Sequence, residues 1–231
     1  MLRAVPLLTA AVLAGPVAFG LLGTLLPAAG LIDLGAERPM AQALAWPGLP
    51  RALAVSVLSG VLSTVAALGI AALLLAGWSG TRAFVGFERA LAPLLAVPHA
   101  AAALGLAFLV APSGWAMRLP AQALGWDAPP DLLVPGDQWG LSLAAGLVAK
   151  ELPFLLLVML AALPQARADE RLRAARALGA GRVAGWLKAA FPSVYAQVRL
   201  PVLVVLVYGM TNVDVATILG PSTPTTLAAG L

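Results

Sequence analysis

Apolar residues run along this chain in long, almost unbroken stretches, and polar residues gather between them. Five stretches stand out, near residues 5–26, 52–76, 90–111, 141–163 and 200–219. A bilayer core is crossed by roughly 20 apolar residues rising about 1.5 Å each, so each stretch predicts a membrane-spanning helix. The connections carry the punctuation. Residues 27–51 hold four prolines together with Asp33 and Glu37, and residues 112–140 hold Trp115, Trp126 and Trp139. Tryptophans in such places suit the headgroup level. The expected fold is all-α, a polytopic transmembrane helix bundle forming a single domain over residues 1–231. The first stretch, preceded by Arg3, also has the outline of a signal peptide, but its length and Pro16 favour a span.

Composition narrows the chemistry. Of the 231 residues 61% are hydrophobic and 10% charged, where soluble domains carry about 25% charged residues, so a water-soluble globular domain is excluded. No cysteine is present and His99 is the single histidine, which removes disulfides, thiolate sites and multi-histidine metal centres. No metal or cofactor is therefore expected. The net charge of +4 sits in short segments between apolar runs, a pattern that fits membrane lipid and not nucleic acid.

Basic residues also set the orientation, because Lys and Arg resist translocation. The connection 164–199 holds Arg167, Arg171, Arg173, Arg176, Arg182, Lys188 and Arg199 against Asp169 and Glu170. It is expected to be cytoplasmic, together with the N-terminus, Arg82 and Arg89. Arg38, Arg51 and Arg118, with five of the ten acids, then lie outside. Prolines at 6, 16, 93, 98, 153 and 201 predict kinked helices, since each removes a backbone donor.

The basic connection is patterned. Residues 165–178 read as a helix with Asp169 and Glu170 near its start and Arg173 and Arg176 near its end, as the macrodipole favours, and Asp169 can pair with Arg173. Gly179 stops it. A second helix over 182–191 sets Val183, Trp186, Leu187 and Ala190 on one stripe, and Pro192 closes it. Two short helices hinged at a glycine suit either a docking element for a soluble partner or an amphipathic loop lying on lipid.

The run Ala174-Ala175-Arg176-Ala177-Leu178-Gly179-Ala180, with Pro192 thirteen residues beyond Gly179, resembles the EAA loop of permease subunits of binding-protein-dependent ABC importers. Ala174, Ala175, Gly179 and Pro192 match that pattern in register; Arg173 stands where the family has glutamate, with Glu170 one turn earlier. Lys150-Glu151-Leu152-Pro153-Phe154, Pro98-His99-Ala100 and the segment from Val213-Asp214-Val215 to Ile218-Leu219-Gly220-Pro221 resemble fused-type permeases related to thiamine and iron importers. The resemblance implies a type I importer fold whose loop, with Glu170, Arg173, Ala174, Ala175, Gly179, Trp186 and Pro192, couples to an ATP-binding cassette ATPase subunit. It further implies a second permease subunit or half and an extracytoplasmic solute-binding protein. Such permeases usually cross the membrane six times, so five spans predict a chain lacking a final span or second half. Neither Lys150 nor Lys188 follows a glycine as a phosphate-binding loop requires, which assigns ATP hydrolysis to another chain.

Ionisable groups inside spans are costly and mark functional sites. Lys150 and Glu151 fall within the fourth span, and Asp214, beside Asn212 and Thr211, within the fifth. A Lys150–Asp214 ion pair is the sharpest expectation. With His99 and Asn212, these groups are candidates to line a translocation path. The rival class is an ion-coupled secondary transporter working through Lys150, Glu151 and Asp214, and a purely structural membrane subunit is a third.

Overall fold

A computed structural model describes residues 4–32, 39–128 and 134–230. Arg3, Asp33, Glu37 and Arg38 lie outside the described residues. All regular structure among the described residues is helical, and the fold is an all-α polytopic membrane-helix fold. Among the described residues five stretches are long and apolar enough to cross a membrane, Val5–Ala28, Leu49–Trp78, His99–Ala121, Leu141–Ala162 and Arg182–Thr211.

The chain divides into two compact units, residues 1–50 and 51–231. The first holds α1 (Ala4–Ala28) and the short α2 (Pro39–Ala45). Helix α1 runs through Pro16 without a break, and Leu7, Phe19 and other large apolar side chains along it are exposed, which suits a helix solvated by lipid.

The larger unit is built on α3 (Leu49–Trp78), α4 (Arg82–Ala96), α5 (His99–Val110), α6 (Trp115–Leu124) and α7 (Leu141–Ala162). It continues through α8 (Ala168–Ala177), α9 (Arg182–Gly185), a π-helical turn (Trp186–Ala190), α10 (Phe191–Thr211), α11 (Asp214–Leu219) and α12 (Leu227–Gly230). Helix α7 packs on α10 and α4, and α11 packs on α5 and α7. The main core joins Leu75 of α3, Phe84 and Leu91 of α4, Leu155, Leu156 and Met159 of α7, Trp186 of the π-helical turn, and Val194 and Val198 of α10. A smaller core at the other end of α7 joins Ala103, Leu143, Leu147, Val215 and Leu219.

Small polar residues let α3 serve as the inner helix. Ser56, Ser59, Ser63 and Thr64 are buried, and each hydroxyl donates to a carbonyl three or four residues back at 2.7–3.2 Å, so no donor is stranded in an apolar interior. Gly209 of α10 crosses this face so closely that an added Cβ would meet Gly60 Cα and Ser63 Oγ at 3.2 Å.

Two spans differ from their sequence outlines. The third, expected over 90–111, is two helices meeting at Val97–Pro98, because Pro98 has no N–H and forces extended geometry on Val97, whose ψ is 127°. The fifth, expected over 200–219, starts earlier and ends at Thr211. Pro192 does not close the second loop helix; it occupies the first turn of α10, where no donor is required. The π turn ahead of it, in which Phe191 N–H donates to Trp186 O, shifts the hydrogen-bond register and carries the chain past the proline. Helices α7 and α10 continue through Pro153 and Pro201.

Asp137 starts α7: its carboxylate accepts from the Leu141 and Ser142 N–H groups at 2.7 Å each. Burial alone would raise its pKa, but the hydrogen bonds from Ser142, Leu141 and Trp139 outweigh it and hold the carboxyl below its ordinary 3.8. Asp137→Ala is expected to cost about 1 kcal/mol, read as a lower unfolding temperature in detergent. Because the folded pKa is depressed, the wild-type advantage is complete above the ordinary value of 3.8 and fades as pH falls through the folded value.

Candidate functional site

Two groups of residues singled out in the sequence come together in different places. The first is the basic connection. Helix α8 ends in a Schellman motif, with Gly179 N–H donating to Arg176 O at 2.9 Å and Ala180 N–H to Ala175 O at 3.1 Å. Gly179 has φ +89°, a left-handed conformation that a β-carbon disfavours. Ala175 is small because α9 lies against it: a Cβ on Gly185 would stand 3.4 Å from that of Ala175.

This reversal leaves Leu178 at the tip with 90% of its surface exposed. Arg173 and Ala174 are exposed beside it on α8, as is Glu170, and Pro192 is exposed at the start of α10. Trp186 goes the other way. It is 2% exposed and lies near Phe191, ring centroids 5.8 Å apart, so Trp186 of the second loop helix's apolar stripe feeds the bundle's own core, while Val183 of the same stripe is 43% exposed. The expected Asp169–Arg173 pair is also not formed: the one salt bridge among the described residues joins Arg167 and Glu170 at 4.0 Å, both exposed.

Arg182 fastens the connection to the bundle. Its Nε donates to Ala76 O at 3.0 Å and its Nη2 to Ser79 O. A cation thus caps the C-terminal end of α3, where backbone carbonyls lack partners and the dipole is negative. In the sequence Arg182 is one more basic residue, because nothing local announces a partner about a hundred positions away.

The second group lies inside the bundle. Lys150 does not pair with Asp214, which is exposed at the start of α11. Its Nζ donates to Leu94 O at 2.9 Å, Leu95 O at 3.4 Å and Val97 O at 2.6 Å. The reason is Pro98: a helix continued through it would give Leu94 O an amide partner, and proline supplies none. The ammonium replaces that donor and neutralises the helix end, as Arg182 does for α3.

Glu151 is 4% exposed, and neither of its carboxylate oxygens has a hydrogen-bond partner. The Ser63 hydroxyl, which like Glu151 faces Gly209, donates instead to Gly60 O. Lys150, Glu151, His99, Phe154, Val204 and Tyr208 line one cavity of about 210 Å3. His99 and Tyr208 face each other with ring centroids 5.0 Å apart. Asn212 Nδ2 donates to Tyr208 Oη at 2.6 Å, and Asn212 Oδ1 accepts from Val215 N–H at 2.7 Å. Asn212 therefore ties this wall to α11 and is not itself a lining group. Tyr208 escaped the sequence reading; the available signal was its position one helical turn before Asn212.

No family model matches the chain. Over 188 residues it is 33% identical to the inner membrane ABC transporter permease protein YnjC of Escherichia coli (strain K12), covering 79% of this chain and 34% of that protein. The chain belongs to the ABC transporter permeases. It spans about a third of the length of that relative. With five stretches among the described residues able to cross a bilayer, this permease chain is a multi-pass inner-membrane protein, and its basic connection and the cavity lined by Lys150, Glu151 and His99 are the two places where its chemistry concentrates.

Proposed function

We propose that this permease chain is the membrane part of an ABC importer, driven by a separate ATP-binding cassette ATPase that docks on the connection between α7 and α10. Leu178 carries the reading. A large apolar side chain with 90% of its surface in solvent, held at the apex of a glycine-ended helix, fits a partner's apolar groove and serves no packing purpose in the chain itself. The excess of basic residues in 164–199 favours a cytoplasmic position for it, where ATP is available. Arg182 joins the docked loop to the end of α3, giving ATPase movement a rigid lever into the bundle. The solute would arrive from an extracytoplasmic binding protein and cross between this chain and a second permease subunit or half, past His99, Glu151 and Tyr208.

Purification from native membranes tests the coupling. The wild type is expected to bring down an ATP-hydrolysing subunit, and Gly179→Pro, which cannot adopt φ +89°, is expected to lose it while keeping its helical circular dichroism. Equal recovery by both would refute the loop as the docking element.

A further inference from the structure

The cavity beside Glu151 joins one free carboxylate to a wall of rings and aliphatic groups. Glu151 and Lys150 are sequence neighbours in the same cavity, yet their charges are used differently. All three protons of the Lys150 ammonium have a carbonyl acceptor at the end of α4, so that cation is matched by a helix terminus. Glu151 lines the cavity and is 4% exposed, and its two carboxylate oxygens are buried with no hydrogen-bond partner. A buried anion without partners is costly in an apolar interior, and a ligand that supplies the missing positive charge relieves that cost.

The lining says which kind of cation. A hard metal ion needs several oxygen ligands, and among the described residues no cluster of His, Cys, Asp or Glu could hold one. The Tyr208 oxygen is already an acceptor for Asn212. Phe154, His99 and Tyr208 instead present rings, and Val204 and Leu95 present methyl groups, surfaces that suit alkylated nitrogen through cation–π and dispersion contacts. The volume of about 210 Å3 holds several times the ~30 Å3 share of one water. The cavity is unsealed, since Val204 on its wall is 64% exposed.

We propose that the cavity bordered by Glu151, Phe154 and Tyr208 is a binding site for a small organic cation of the alkylammonium class. This deepens the importer reading by naming the chemistry of what passes the site, and it is tested on the permease chain alone, without an ATPase, so loss of one reading does not entail loss of the other.

The test is thermal unfolding of the full chain in detergent, in phosphate buffer, titrated with tetramethylammonium chloride. Sodium chloride at equal ionic strength, neutral tert-butanol and sodium methanesulfonate are run in parallel. Tetramethylammonium is expected to raise the unfolding temperature saturably, and the three controls are not. Glu151→Gln, which keeps shape and loses charge, should weaken binding roughly tenfold to a hundredfold. Tyr208→Leu, which removes a ring and leaves the carboxylate, should weaken it by about threefold to tenfold, and it keeps the test decisive if the Gln variant fails to fold. A saturable response to tert-butanol or methanesulfonate, no response to tetramethylammonium in the wild type, or an unchanged response in a folded Glu151→Gln chain would each overturn the proposal.

Discussion

Lys150→Met is expected to destabilise the folded chain by about 3 kcal/mol, because it strands carbonyls inside the bundle and each unsatisfied one costs roughly 1–3 kcal/mol. The three acceptors, Leu94 O, Leu95 O and Val97 O, end a helix that Pro98 forces to stop, and no backbone donor can take the place of the ammonium. Lys150→Arg keeps the charge and several donors and should recover a large part of the loss. Asp214→Asn is the informative partner. If the lysine were held by an ion pair across spans, neutralising Asp214 would cost as much as removing Lys150. With Asp214 exposed, the change is expected to stay within about 0.5 kcal/mol. Unfolding of the three variants in one detergent, followed by circular dichroism, separates the two arrangements.

Leu178→Asp is expected to abolish association with an ATPase while leaving the permease chain as stable as the wild type. The side chain has 90% of its surface in solvent, so nothing in the chain's own core depends on it, and surface changes of this kind usually fall within about 0.5 kcal/mol. At an interface the same change buries a carboxylate in an apolar groove. Central anchors of that type are worth about 2–4 kcal/mol, or roughly thirtyfold to a thousandfold in affinity. The split between unchanged stability and lost association is what distinguishes a docking residue from a packing residue such as Trp186, whose substitution should damage both.

The spans were legible in the sequence because hydrocarbon solvent leaves a one-dimensional signature: a helix that crosses it must be apolar for its whole length. The glycine hinge was legible too, since Gly179 follows a helix with charges placed to suit its dipole, and a left-handed residue is needed there. What local pattern could not convey were the long-range uses of single polar groups. Lys150 finds carbonyls more than fifty positions earlier, and Arg182 finds them about a hundred positions earlier. In both cases a helix end created the demand, and at the first of them Pro98 was visible while the donor that answers it was not. Val183, Trp186, Leu187 and Ala190 form an apolar stripe at α-helical spacing, yet periodicity tells only that a face is apolar. Whether it meets a partner or the chain's own core is decided by α7 and α10, and here the core takes Trp186. Reading Pro192 as a terminator failed for a related reason: a proline ends one helix and opens another with the same geometry, and the π turn before it has no sequence signature.

In the proposed importer, the tip of this connection sits in a groove of an ATPase. The chain has no cysteine, so Leu178→Cys places one reactive thiol at that tip and nowhere else. Membranes carrying this variant, treated with a short thiol-to-amine cross-linker, are expected to yield one product joining the permease chain to an ATP-binding subunit, identified by mass spectrometry of the cross-linked peptides. A control thiol at Leu7, on the exposed first helix, should give no such product. Cross-linking of Leu178→Cys only to lipid or to other copies of the chain, with no ATP-binding subunit attached, would contradict the account.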